Sequence, residues 1–268
     1  MCTLALYRNV SPRYPLIVAA NRDEFLGRAA APPSAWPSPR GIVAGRDLVA
    51  GGTWLGCRVD GSGRIVGLLN RRPAADKPAS GPGERSRGLL CVDALASPNL
   101  DDFFASLDAR EAARYGGFNL FVADLGGACV VDNGIGVRRV SLDAGLSVLT
   151  NLDVNDPRCP RLAGATRRFD AVAPLLRSGA DVAEAVPALA FVLSSHEAGL
   201  EPGFEEDPAL RAVGGAAAFS KICVHVADYG TRSSSMIFVD PTGHVRYFHA
   251  DGPPCKAQFV EVPRAIGL

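Results

Sequence analysis

The stretch LIVAANRDEF, residues 16–25, joins an apolar run to four consecutive polar side chains. Residues 16–20 predict a β-strand, and in an extended chain Asn21 and Asp23 share one face while Arg22 and Glu24 share the other. Polar groups at the end of an apolar strand are costly to bury without partners. They form either a solvated strand end with an Arg–Glu ion pair or part of a functional site.

A second unusual feature is the cysteine at position 2, in the opening stretch MCTLALYRN of residues 1–9. Cys2 is either a small apolar start to a strand or an N-terminal nucleophile that is released when Met1 is cleaved. A free cysteine titrates near pH 8.5, and an α-amine at about 7.7–8.0 is well matched to exchange a proton with it. In the second interpretation one residue supplies both the nucleophile and the base.

Composition sets the class of protein. The 268 residues are 47% hydrophobic and contain no obvious linker, which favours one domain over residues 1–268. Lys plus Arg and Asp plus Glu each number 28, so no charge excess indicates a nucleic acid or an anionic membrane surface as partner. No run approaches the roughly 18 apolar residues of a membrane span. We expect a small-molecule substrate or ligand, and the sequence leaves the oligomeric state open.

The cysteines and histidines show no metal-binding motif along the chain. The seven cysteines are scattered and form no Cys-x-x-Cys pair, which argues against a zinc site and a disulfide framework. The four histidines also lack metal spacing, so we predict no metal site and expect them to be structural or exposed. The N-terminus does not resemble a secretory signal, and the free thiols favour a reducing cytoplasm.

Short β-type runs separated by turn residues dominate both ends of the chain. The predicted strands are TLALYR, PLIVAA, GIVAG, DLVAG, TWLGCRV and RIVGLLN, then residues 118–124, 129–132 and 146–150, then segments of ICVHVADYGTRSSSMIFVD, VRYFH and FVEV. Residues 84–107 predict two helices separated at Pro98, and residues 160–193 predict a helical region divided or kinked at Pro174 and Pro187. Residues 71–83 predict a surface loop. This order is compatible with two antiparallel sheets that carry helices on their outer faces.

Four motifs in this order, MCTLAL, LIVAANRDEF, GGTWLG and YGTRSSSMIFVD, resemble the NRDE family, also called the transport and Golgi organisation protein family. That family is in turn similar to the cysteine N-terminal nucleophile hydrolases, such as bile salt hydrolases and penicillin acylases. The resemblance implies an α+β fold, a four-layer αββα sandwich of two antiparallel sheets. It also implies that Cys2, once Met1 is removed, is the nucleophile.

The resemblance suggests further site residues. Asp23 matches the residue that orients the amine, and Asn21 shares its strand face. Asn70 and Asn151 each follow an apolar strand and resemble the asparagines that stabilise an oxyanion, although each is equally typical of a turn. Arg232, in YGTR, resembles a late active-site arginine; the alternative is a surface ion pair.

Asn21, Arg22 and Trp54 are predicted to bind substrate. The hydrolases usually carry an arginine before the Asn of Asn-x-Asp, whereas this chain has Ala20 there and Arg22 on the other strand face. Trp54, in GGTWLG, is either packed in the core or forms one wall of a pocket.

Two functions follow from the sequence. The first is a hydrolase or acyltransferase that cleaves amide, ester or thioester bonds through an acyl-Cys2 intermediate, without a cofactor. The second is a non-catalytic protein that binds or traffics haem or an acyl lipid on the same scaffold. A haem ligand would need an axial residue, and the chain has no Cys-x-x-Cys-His motif.

Overall fold

The computed structural model describes residues 2–71, 83–200 and 215–263. These residues divide into two compact units, and the chain passes between them more than once. Described residues within Met1–Arg28, Asp143–Pro241 and Arg246–Glu261 form the first unit. Those within Ala29–Leu142, Thr242–Val245 and Val262–Leu268 form the second unit. The interpretation of residues 1–268 as a single domain stays a prediction.

The first unit contains one antiparallel sheet and four of the described helices. Its strands are β1 (Thr3–Arg8), β2 (Leu16–Phe25), β10 (Gly145–Leu149), β11 (His225–Val226), β12 (Tyr229–Val239), β13 (Val245–Ala250) and β14 (Val260–Glu261). They are ordered β10-β1-β2-β12-β13-β14, with β11 paired to β12. Its helices are α4 (Leu162–Asp170), α5 (Ala173–Arg177), α6 (Val182–Leu193) and α7 (Gly215–Phe219).

The second unit repeats this plan with a different strand order. Its strands are β3 (Ala30–Ala35), β4 (Ile42–Asp47), β5 (Leu55–Arg58), β6 (Ile65–Asn70), β7 (Phe118–Ala123), β8 (Ala128–Asp132) and β9 (Arg138–Ser141), paired in chain order. Its helices are α1 (Arg87–Ala96), α2 (Leu100–Ser106) and α3 (Ala109–Ala112). One core cluster joins residues of α1 and α2 to residues of β4, β6, β7 and β8.

In the first unit, strand alternation decides which side chains meet the helices. Tyr7 of β1 and Ile17 and Ala19 of β2 pack in one core cluster with Phe169 and Leu176 of the helical region. The alternate residues of these strands, such as Leu6 and Val18, are buried as well. Both faces of this part of the sheet are therefore withdrawn from water, which accounts for the nearly continuous apolar sequence of β1 and β2.

The predicted fold class is confirmed: the chain is α+β, with two antiparallel sheets and helices packed on a face of each. The two helices expected in residues 84–107 are α1 and α2. Pro174 lies in the first turn of α5, whereas Pro187 lies inside α6, which continues through it. The predicted loop 71–83 lies almost wholly outside the described residues. Among the described residues, no helix is long and apolar enough to cross a membrane.

One predicted strand is absent and two strands of the structure were not predicted. DLVAG is a turn, because the Asp47 carboxylate accepts hydrogen bonds from the backbone amides of Val49 and Ala50 and closes the chain locally. Strand β3 was missed because its sequence, AAPPSA, contains two prolines, which an edge strand tolerates. Strand β9, RRVS, was missed because it is a short, largely exposed edge strand with no apolar run.

The buried His249, on β13, is expected to make the stability of the protein depend on pH. Burial lowers its pKa to about 4, although Asp251 opposes the shift, and its Nδ1 lies 2.9 Å from the Ser235 hydroxyl oxygen. An unfolded histidine titrates near 6.5, so between pH 6.5 and 4 the unfolded state binds the proton more readily than the folded state. We expect the free energy of unfolding to fall by about 3 kcal/mol as the pH falls through this range.

Urea unfolding of the wild type and His249→Gln at pH 7 and pH 4.5 tests this expectation. Glutamine does not titrate and can still hydrogen-bond the Ser235 hydroxyl. The free energy of unfolding of His249→Gln should therefore fall much less between pH 7 and pH 4.5 than that of the wild type. An equal loss of stability in both proteins would show that His249 is not the group responsible.

Candidate active site around Cys2

Cys2 lies at the head of an inner strand of the first unit's sheet. It directly precedes β1, which pairs with β10 on one side and β2 on the other. Leu4 pairs with Leu149 and Thr3 pairs with Asn21, so extending each register places Asn151 and Arg22 on either side of Cys2. The Cys2 thiol is half-buried and donates a hydrogen bond to the Asp23 backbone carbonyl at 3.8 Å.

The Asp23 carboxylate is fully buried and is held by two side chains. Arg161 Nη1 lies 2.8 Å from its Oδ2, and the Thr231 hydroxyl donates to its Oδ1 at 2.8 Å. The Tyr229 hydroxyl donates to the Asp23 backbone carbonyl at 3.0 Å, the same oxygen that accepts the Cys2 thiol. Asp23 thus connects the strand that carries the thiol to β12 and to the start of α4.

Arg161 is the largest completely buried side chain in the described residues. It occupies the N-cap position of α4, donates from Nε to the Phe219 carbonyl at 3.0 Å, and donates from Nη1 to the Thr3 hydroxyl at 2.7 Å. Burial alone lowers its pKa, but the charge of Asp23 and the hydrogen bond to it outweigh burial and raise the pKa above the ordinary value. Arg161 and Asp23 therefore form an ion pair that is buried and hydrogen-bonded.

The surroundings of Cys2 favour its neutral thiol over the thiolate. Burial raises its pKa above the ordinary value, and the charge of Asp23 raises it further, whereas Arg22 lowers it. Arg22 is itself buried and lies 3.8 Å from the Glu24 carboxylate. A thiol with a raised pKa needs a base close by before it can act as a nucleophile.

The Asn21 side chain makes three hydrogen bonds within the first unit. Its side-chain amide donates to the carbonyls of Leu193 and Ile222, both at 2.9 Å, and its oxygen accepts from the Ser234 hydroxyl at 2.6 Å. These contacts hold the end of α6 and the segment before β11 against β2. Asn21 and Asp23 share one strand face, as the sequence predicts; the expected part of Asn21 in substrate binding stays a prediction.

Arg232 lies at a β-bulge where the pairing of β12 with β2 shifts by one residue, between Thr231 and Ser233. Its Nη1 lies 3.1 Å from Asp251 Oδ1. This contact corresponds to the surface ion pair that the sequence left as the alternative. The arginines whose charges act on Cys2 include Arg22 and Arg161.

Asn151 is buried and lies two residues after Leu149, the last residue of the segment that pairs with β1. Two other predicted site residues belong to the second unit. Asn70 is the exposed last residue of β6, and the half-buried Trp54 precedes β5. The space beside Gly45 of β4 is filled by the Trp54 ring, because an added Cβ at Gly45 would lie 2.6 Å from it. The roles of Asn70, Asn151 and Trp54 stay predictions.

Sequence reasoning missed Arg161, Thr231, Tyr229 and Thr3 as partners of the Cys2–Asp23 site. Thr231 and Tyr229 lie in YGTR, the motif from which only Arg232 was predicted. Because β12 has a bulge at Arg232, simple strand alternation does not predict which residues of the motif face Asp23. Arg161 belongs to no recognised motif, and its position in the fold is the only evidence of its role.

The fold and the site define a class: an α+β protein of two antiparallel sheets, with a cysteine at the head of an inner strand beside a buried Asp–Arg pair. The chain belongs to the Transport and Golgi organisation 2 family, whose sequence profile matches residues 1–251. The resemblance to the transport and Golgi organisation protein family is confirmed.

Curated relatives cover most of the chain. It is 33% identical over 248 residues to the Transport and Golgi organization protein 2 homolog of Bos taurus, covering 87% of this chain and 85% of the relative. It is 31% identical over 249 residues to the Homo sapiens homolog, covering 87% of this chain and 85% of that relative. A solved structure, the Caenorhabditis elegans N-acylethanolamine-hydrolyzing acid amidase ortholog, is similar with a TM-score of 0.48 and 15% identity, over 70% of this chain and 85% of that one.

Proposed function

We propose that this protein is an N-terminal cysteine hydrolase or acyltransferase that acts on an amide, ester or thioester bond of a small molecule. The observation that carries the proposal is the position of Cys2, half-buried at the head of an inner strand with its thiol held by the Asp23 carbonyl. Removal of Met1 would create an α-amine on the residue that carries the thiol. The reaction needs no cofactor.

The chemistry follows from this placement. The α-amine of Cys2 takes the thiol proton, the thiolate attacks the substrate carbonyl, and the protonated amine returns the proton to the leaving group. Water or a second substrate then attacks the acyl-Cys2 carbonyl and regenerates the thiol. Because burial raises the thiol pKa, attack depends on this internal base.

The surrounding residues have distinct proposed roles. Asp23, fixed by Arg161 and Thr231, positions the chain beside the thiol. Asn151, which flanks Cys2 by strand register, is proposed to donate a hydrogen bond to the oxyanion, and the same role for Asn70 rests on the sequence resemblance alone. Arg22 and Arg232 are proposed to favour the thiolate or to hold an anionic substrate group.

The proposed compartment is the reducing cytoplasm. All seven cysteines lie within the described residues and carry free thiols, the state that a reducing compartment maintains.

A substrate screen tests the proposed function. Untagged protein is incubated with a panel of N-acyl amides and thioesters, and turnover is compared with that of Cys2→Ala. We expect the substitution to lower turnover at least about 1,000-fold and to abolish an acyl adduct seen by intact mass, because it removes the nucleophile. Cys129→Ala is the matched control, since Cys129 is another half-buried thiol. Equal turnover by wild type and Cys2→Ala would contradict the proposal.

A second proposed function, non-catalytic binding of haem or an acyl lipid, is supported by a separate observation. An apolar groove of about 750 Å³ lies beside α5 and α6 and is lined by Val172, Leu175, Phe191 and Val192. Phe191 is 81% exposed there, although it is a large apolar residue. Ligand affinity that is lowered by Phe191→Glu but unaffected by Cys2→Ala would favour binding over catalysis.

A further inference from the structure

Four potential metal ligands, none of them Cys2, converge within the first unit. They are His196, which follows α6, Cys223 and His225 beside β11, and Cys255, in the turn after β13. Their ligand atoms all lie within 4.8 Å of one another. The expectation of no metal site rested on spacing along the chain, and that spacing conceals this cluster because the ligands come from three separate segments.

The distances between these atoms match a tetrahedral zinc site. Zinc–sulfur bonds of about 2.3 Å place two sulfurs about 3.8 Å apart in a tetrahedron, and zinc–nitrogen bonds of about 2.0–2.1 Å place sulfur and nitrogen about 3.6 Å apart. The Sγ atoms of Cys223 and Cys255 are separated by 3.8 Å. His225 Nε2 lies 3.6 Å from the first sulfur and 3.4 Å from the second. A disulfide needs its sulfurs at about 2.05 Å.

The fourth ligand has the orientation that metal-binding histidines commonly have. His196 Nδ1 lies 3.2 Å from the Cys223 carbonyl oxygen. A hydrogen bond there fixes Nδ1 as the donor and leaves Nε2 as the ligand atom, an arrangement usual in the shell around bound zinc. The His196 and His225 rings have centroids 5.1 Å apart.

We propose that His196, Cys223, His225 and Cys255 bind one zinc ion in a Cys2His2 site. Two thiolates and two imidazoles form the donor set that tetrahedral zinc prefers. Lys221 and Lys256 act electrostatically on His225, and two thiolates neutralise the dication, so the complex adds no net positive charge beside these lysines. The two histidines and Cys255 are exposed, which gives the ion a route in.

The proposed ion would join three segments, and the one that carries Cys223 and His225 is hydrogen-bonded to the surroundings of Asp23. The Val224 amide, between two ligands, donates to the Thr231 hydroxyl oxygen at 2.9 Å, and that hydroxyl donates to Asp23. The Cys223 amide donates to the Ser195 carbonyl, beside His196. Metal binding therefore has a structural role in this proposal, which does not depend on whether Cys2 is a nucleophile.

Metal analysis of the full chain tests the site. The protein is produced with zinc in the medium, with a C-terminal tag that contains no histidine, and is purified without chelator. We expect about one zinc per chain by mass spectrometry. Cys255→Ser and His196→Ala should lose most of it, whereas Cys129→Ser, a change at a thiol outside the cluster, should retain it. Cobalt added to stripped protein should give the strong visible absorption of a tetrahedral thiolate site.

Thermal unfolding provides a second measurement. A chelator should lower the Tm of the wild type and leave that of Cys255→Ser unchanged, because a ligand that binds the native state stabilises it. The proposal is overturned if the wild type binds neither zinc nor cobalt, if Cys255→Ser binds zinc as the wild type does, or if peptide mapping finds Cys223 joined to Cys255 in a disulfide.

Discussion

Arg161→Met is expected to lower the free energy of unfolding by about 3–5 kcal/mol, since it leaves the Asp23 carboxylate buried without its cationic partner. Both side chains are completely buried and lie 2.8 Å apart. Removing one member of such a pair destabilises strongly because the remaining charge has lost both water and its partner. Urea unfolding of the wild type and the variant, followed by circular dichroism, measures the effect.

Two further variants make this test specific. Arg168→Met, on the same helix, removes an exposed ion pair with Glu197 and should cost less than about 1 kcal/mol. Combining Arg161→Met with Asp23→Asn should recover part of the lost stability, because the isolated charge is gone. If Arg161→Met were as stable as Arg168→Met, loss of the buried ion pair would not lower the free energy of unfolding as expected.

Retention of Met1 is expected to lower turnover as severely as removal of the thiol does, by at least about 1,000-fold. An uncleaved N-terminal tag converts the Cys2 amine into an amide, which does not accept a proton near neutral pH. Cys2→Ser should lose most turnover for a different reason, because a hydroxyl is far harder to ionise than a thiol. Activity is measured on a substrate found in the screen.

The control is a tag that a protease removes directly before Cys2. Cleavage should restore activity, whereas a tag at the C-terminus should not reduce it. Full turnover in the protein with an uncleaved N-terminal tag would exclude the N-terminal amine as base. Ligand binding that is indifferent to both the tag and Cys2→Ser, in a protein without turnover, would favour the binding function.

The fold was predictable wherever local patterns agree with tertiary contacts. Alternation in LIVAANRDEF correctly predicted that Asn21 and Asp23 share a face, because both lie in one continuous strand, β2, and the bulge beside them is in β12. Helices α1 and α2 could be predicted because apolar residues recur at helical spacing on either side of Pro98. The error at residues 47–51 arose because the Asp47 side chain can close a turn within an apolar sequence.

The site was only partly predictable, because its partners come from distant segments. A regular strand turns residues three apart to opposite faces. The bulge at Arg232 instead lets Thr231 and Ser234 both donate to side chains of β2. Nothing in YGTRSSS reveals this extra residue, so sequence reasoning could not assign Arg232 to a face. Arg161 was missed for a simpler reason. What marks it is its contact with Asp23, which exists only in the folded chain.

The long separation between the partners of Asp23 has a consequence for biosynthesis. Thr231 follows Asp23 by 208 residues, so at about 5–20 residues per second a ribosome needs roughly 10–40 seconds to supply it. Arg161 emerges within the same interval. Until then the first hairpin, β1 and β2, lacks the side chains that enclose Asp23, and the start of the nascent chain stays accessible. Removal of Met1, which the proposed mechanism requires, would therefore have roughly 10–40 seconds to occur before the site can close.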